Sequence, residues 1–189
     1  MSAVKQVPRE KIVEAALEEV RERGMQALNV RALAKRLGCS TRPIYLSFGR
    51  LDEVKEAVAG RIYQIYRAYL EREAAGGKYP PFKAYGMAYI RFAREEKQFF
   101  SYMFMRDRSG GSSDEENIDY ILSAVESATG LSREQAKLFH LEIWMFVHGV
   151  AAMIANSYAD PDEELISDML TDVFMGLKAR FTDKNRAEN

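Results

Sequence analysis

Residues 29–48 read NVRALAKRLGCSTRPIYLSF, and their spacing predicts two short helices joined by a tight turn. Val30, Leu33, Ala34 and Leu37 fall at i, i+3, i+4 and i+7, which makes one apolar stripe and leaves Arg31, Lys35 and Arg36 on a basic outer face. Asn29 is placed to cap the first helix, Gly38 to end it in the left-handed conformation, and Ser40 to cap the second. In that second helix Ile44 and Phe48 lie one turn apart and are expected inward. At about 100° per residue, this phase turns Arg42, Pro43 and Leu46 outward with Tyr45 at the flank. Pro43 stiffens the first turn without removing an intrahelical donor. A short helix that presents its N-terminal side chains suits the major groove of duplex DNA.

Working outward, the pattern from Arg9 to about Val58 resembles the DNA-binding region of the TetR family of bacterial repressors. The resemblance is carried by Gly24 closing a first amphipathic helix, by the L-x-V-R-x-L-A-x-R-L-G run from Leu28 to Gly38, and by Ser40, Ile44, Tyr45 and Phe48. Trp144 to Gly149, WMFVHG, resembles a Trp…His-Gly signature in the ligand-binding half of one branch of that family. It implies an all-α fold: a three-helix helix-turn-helix module over residues 1–55, and an effector-binding and dimerisation domain over 56–189. A connector helix at about 52–73 joins them. A lysine that usually touches a DNA phosphate at the start of the connector is absent, since Leu51 holds the aligned position, and Arg50 is the neighbouring candidate to replace it.

Composition bounds these expectations. The chain has 189 residues, 47% hydrophobic and 29% charged, enough apolar material for one or two small domains. Its single cysteine, Cys39, excludes an internal disulfide and a multi-cysteine metal site. No uninterrupted apolar run reaches the about 18 residues a membrane span requires, which predicts a cytoplasmic, non-membrane protein. The overall charge of −1 conceals an asymmetry. Residues 1–55 hold 11 Lys/Arg against 7 Asp/Glu, a net of +4, so the remainder carries −5 and only the first segment suits a polyanion.

Farther along, apolar spacing predicts helices over 9–23, 82–96, 97–107, 114–129, 132–158 and 161–181, with a polar loop at 106–113. Ser132 and Gln135 form a capping box, and Asp160-Pro161-x-Glu163 marks the start of the last helix. The penultimate helix is apolar around most of its circumference, so a partner subunit is expected to cover what one small domain leaves open.

The candidate DNA contacts are Arg31, Thr41, Arg42, Pro43, Tyr45, Leu46, Ser47 and Arg50. Arg42 is the one whose guanidinium suits guanine O6 and N7 together. Met87, Phe92, Phe100, Met103, Phe104, Trp144 and His148 are the candidates for an apolar effector site, against the plainer reading of all of them as core. The resemblance implies a four-helix dimer interface, for which Val150, Ile154, Met169, Val173, Phe174 and Leu177 are the candidates. With two histidines, no phosphate loop and no His-Glu-x-x-His, neither catalysis, a metal nor a cofactor is expected. The implied function is a homodimeric repressor released from a pseudo-palindromic operator by a small, mainly apolar effector. The alternative is a helical dimeric small-molecule-binding or interaction module without specific DNA binding.

Overall fold

A computed structural model describes residues 7–106 and 118–187, with side chains through Asp183, and every regular element among them is helical. In order these are α1 (Arg9–Arg23), a short 3-10 turn (Met25–Ala27), α2 (Val30–Leu37), α3 (Arg42–Ser47) and α4 (Leu51–Ala75). There follow α5 (Pro81–Glu95), α6 (Lys97–Phe104), α7 (Asp119–Thr129), α8 (Arg133–Ala155) and α9 (Glu163–Ala187). The expected basic arm at Lys5, and the 106–113 loop and 114–117 helix start beyond Arg106, lie outside the described residues.

The chain forms two compact units, neither of them continuous in sequence: residues 1–67 with 96–106, and residues 68–95 with 107–189. In the first, α1 buries Ile12, Ala16, Leu17 and Val20 and packs against α2 and α6. Leu33, Ile44, Phe48, Val54, Val58 and Ile62 complete an apolar core, each at most 1% exposed. The same unit takes in α6, whose Phe99 and Phe100 are wholly buried. Glu19 is a buried carboxylate here, at 3% exposure. Arg36 reaches it at 2.9 Å from α2 and Arg23 at 3.4 Å from its own helix, so the charge is paired instead of stranded.

In the second unit α5 lies along α8, and α7 and α9 pack on both. Close approach is possible because Gly86 has no side chain: a Cβ there would sit 3.0 Å from Leu170 and 3.5 Å from Val147. The capping box at Ser132 and Gln135 forms as expected. The cap of α9 is Asp162, not Asp160, its carboxylate accepting the Leu165 N–H at 2.8 Å. By length and composition alone α8 could cross a membrane, although Glu142 and two histidines interrupt its apolar run. Its Phe139, Ile143, Val147 and Ile154 are instead buried in this unit's own core.

Candidate nucleic-acid interface and effector region

The turn between α2 and α3 is built as the local sequence dictates. The Asn29 side chain accepts the Ala32 N–H at 2.9 Å. Gly38 takes φ 62° and ψ 33°, with its own N–H on the Lys35 carbonyl and the Cys39 N–H on that of Ala34. This pair of bonds closes α2 with a Schellman motif, and glycine meets its left-handed requirement without Cβ strain. Ser40 does not cap α3. The cap position is Thr41, and no side-chain bond is made there.

On α3, Arg42, Tyr45 and Leu46 are exposed, the last two at 51% and 57%. Two large side chains held open on a six-residue helix, beside a guanidinium with no ion-pair partner among the described residues, form a surface that a base edge or thymine methyl can meet. Pro43 is corrected: it is buried with Ile44 and does not face outward. Thr41 is half-buried at the helix start. Arg31 is exposed on the first turn of α2, and Arg50 is exposed with a long 3.6 Å pairing to Glu53. Arg36, by contrast, is held by Glu19 and Glu22, and these contacts raise its pKa further.

Ser47 serves the chain itself. Its hydroxyl donates to the Val7 carbonyl at 2.7 Å, while its own carbonyl accepts from the Arg9 guanidinium at 2.8 Å. That guanidinium also lies over the buried Phe48 ring, 3.9 Å from its centre. Arg9 thus satisfies a carbonyl at the end of α3 and fixes the helix against the start of α1, a role the sequence reading missed. A signal existed: a cation in the first turn of α1 opposes that helix's own dipole, so its reason had to be tertiary. Arg9→Ala is expected to lower stability by about 1–2 kcal/mol through the lost stacking and hydrogen bond, with Arg9→Lys intermediate. Denaturant unfolding of the two variants beside the wild type measures this.

The residues expected around an effector divide between the units. Met87 and Phe92 are buried in the second. Phe100, Met103 and Phe104 are grouped with the first, where Phe104 meets Tyr66 edge-on at 5.3 Å. Trp144, 38% exposed, stacks on His148 with ring centres 5.1 Å apart and planes 22° apart. His148 Nδ1 lies 2.9 Å from the hydroxyl of Tyr89, itself buried on α5. Burial lowers the His148 pKa, which favours the neutral ring. Phe82, Phe139 and Phe174 form an aromatic cluster with centres 5.3–6.1 Å apart, and His140 meets the edge of Phe82. The Nδ1 atom of His140 is buried without a hydrogen-bond partner among the described residues. The sequence reading singled out neither Phe82 nor His140, because nothing in their local spacing separates them from ordinary core.

For the dimer candidates, Val150 and Ile154 are corrected: at 5% and 1% exposure they belong to the chain's own core. Val173, Phe174 and Leu177 are half-buried and Met169 is exposed. Among the described residues, the large apolar groups left open are instead Leu138, Leu141, Trp144, Met145 and Met153 on α8, with Leu165, Met169 and Met175 on α9.

Comparison with known proteins agrees with this geometry. Residues 12–58 match the family described as "Bacterial regulatory proteins, tetR family", and residues 82–174 match "Tetracyclin repressor-like, C-terminal domain". An HTH-type transcriptional regulator of Mycobacterium tuberculosis is 28% identical over 182 residues, 92% of this chain and 83% of that protein. The crystal structure of a TetR-like transcriptional regulator from Rhodococcus sp. RHA1 shares the fold, with a TM-score of 0.63 and 20% identity over 94% of this chain and 99% of that one. With helix-turn-helix and C-terminal domain both matched in their proper order, the chain belongs to the TetR family of transcriptional regulators, DNA-binding proteins of the helix-turn-helix type.

Proposed function

We propose that the protein is a homodimeric repressor that binds a pseudo-palindromic operator and leaves it when a small, mainly apolar effector binds. The carrying observation is α3: Arg42, Tyr45 and Leu46 are exposed on a helix whose other side, at Pro43 and Ile44, is buried. One such helix reads too few base pairs for useful specificity, and a dyad doubles the number. Arg42 takes a guanine, Leu46 a thymine methyl, and Tyr45, Arg31, Thr41 and Arg50 the phosphates and flanking edges. Functionally the chain divides near residue 55, with effector binding and dimerisation after it and α4 as connector. The operator and the repressor meet in the cytoplasm. Selection of bound sequences from random duplexes tests the reading. An enriched inverted repeat is expected, and a folded protein that enriches nothing overturns it.

For the effector, support comes from the aromatic interior of the second unit and from buried Tyr89, whose hydroxyl lies 2.9 Å from the half-buried His148. Trp144 is the only tryptophan, so its emission reports directly on the ring stacked against His148. A screen of hydrophobic metabolites and drugs is expected to return compounds that shift this emission and weaken operator binding together. A hundredfold loss needs about 2.7 kcal/mol of preference for the released state. Compounds that shift emission yet leave DNA binding unchanged contradict the coupling.

A further inference from the structure

Arg91, on α5, divides its guanidinium between two other helices. One terminal nitrogen lies 2.9 Å from Glu73 in the last turn of α4, and the other 3.0 Å from Glu163 in the first turn of α9. The same Glu163 receives Lys78 at 2.6 Å and the Tyr79 hydroxyl at 3.0 Å. One turn along α5, Arg94 holds Asp160 at 2.8 Å, just ahead of α9. All these residues lie in the second compact unit.

The two carboxylates are not equivalent. Glu163 sits at a helix N-terminus, where the dipole favours an anion, and its contacts with Lys78, Tyr79 and Arg91 bring its pKa down to about 2. Glu73 sits at a helix C-terminus, where the dipole opposes an anion, and its side chain is only 8% exposed. A buried carboxylate in that position requires a cation, because an uncompensated buried charge is strongly destabilising. The last turn of α4 therefore depends on a guanidinium whose other half is held by α9. A lysine cannot replace it, since one ammonium does not span two carboxylates as the planar fork does.

We propose that Arg91 is a positioning residue that couples the start of α9 to the end of α4. Whatever moves the first turn of α9 changes the hold on the last turn of α4. The consequence for DNA rests on the proposed operator binding, because α4 runs unbroken from the helix-turn-helix to Ala75.

The test is hydrogen exchange of the α4 amides near residues 70–75 in the wild type, Glu163→Gln, Arg91→Met and the double variant. Glu163→Gln, which changes a carboxylate that meets Lys78, Tyr79 and Arg91 and, among the described residues, no α4 side chain, is expected to speed exchange there at least threefold. Arg91→Met is expected to speed it at least tenfold, and adding Glu163→Gln to it should change nothing more. Arg91→Lys gives the same reading if the methionine variant does not fold. Arg133→Met, which removes pairs to Asp119 and Glu126 in the same unit, should leave α4 unaffected. Unchanged or slower α4 exchange in Glu163→Gln overturns the coupling, as does an equal response without Arg91. On a duplex selected by the wild type, Glu163→Gln should alter affinity at least threefold only when Arg91 is present. Coupled exchange with unaltered affinity refutes the DNA consequence. A wild type that selects no duplex refutes the operator reading, while the exchange result still decides the coupling.

Discussion

Replacing Met145 and Met169 together by glutamate is expected to give a folded monomer that has lost operator affinity by at least about a hundredfold. Both side chains are exposed on the single chain, at 59% and 37%, and they belong to the open apolar faces of α8 and α9. Covering a methionine or leucine contributes about 1.5–3 kcal/mol, and twofold symmetry counts every position twice. Gly149 and Gly176 lie on the same helices, and a Cβ added at either would meet nothing within 4 Å, so both leave room for close approach by another helix. A glutamate placed between such faces must be buried unpaired, beside the acidic groups Asp168 and Asp172 that α9 already carries. Because neither methionine is in the chain's own core, the helical circular dichroism should be unchanged. The same experiment with charges at Val173 and Leu177 is less clean, since both are half-buried and the fold itself would suffer. Sedimentation of a monomeric wild type, or of a variant that remains dimeric, contradicts the assignment.

Arg42→Ala is the second change with a large expected effect. A bidentate arginine–guanine pair contributes about 1–3 kcal/mol of discrimination. With two recognition helices on one operator the loss becomes about 2–6 kcal/mol, at least about thirtyfold in affinity. The base preference should relax at one symmetric position and persist at the others. Tyr45→Phe is expected to weaken binding to all sequences alike, since a phosphate contact carries no sequence information. Binding titrations on the selected duplex and on duplexes changed at single positions separate the two outcomes. An Arg42→Ala protein with unaltered affinity and preference would place recognition elsewhere.

Much of the helix-turn-helix was legible because its signals are local. Asn29 and Gly38 act within a few residues of where they stand, so their chemistry is readable without the rest of the chain. Pro43 escapes the sequence because Ile44 and Phe48, one turn apart, set an expected phase for α3 that turns it outward. A six-residue helix set at a sharp turn buries two adjacent positions, and a stripe argument cannot anticipate that. Val150 and Ile154 failed for the opposite reason. When a helix such as α8 is apolar almost all round, periodicity does not say which side its own domain takes, and only the packing of α5, α7 and α9 decides. The grouping of α6 with the first unit, and the hold of Arg9 on α3, are contacts across tens of residues with no repeating pattern. The Arg91 clasp is equally non-local, since Glu73 and Glu163 are brought together only by the fold.

The proposed recognition stands most directly on the specificity ratio of the wild-type protein, measured as affinity for the duplex it selects against a scrambled duplex of equal length at one physiological salt concentration. Recognition through paired α3 helices predicts a ratio of about a thousand or more, falling sharply in Arg42→Ala, with both affinities decreasing steeply as salt rises. A folded dimer with a ratio near one would contradict it.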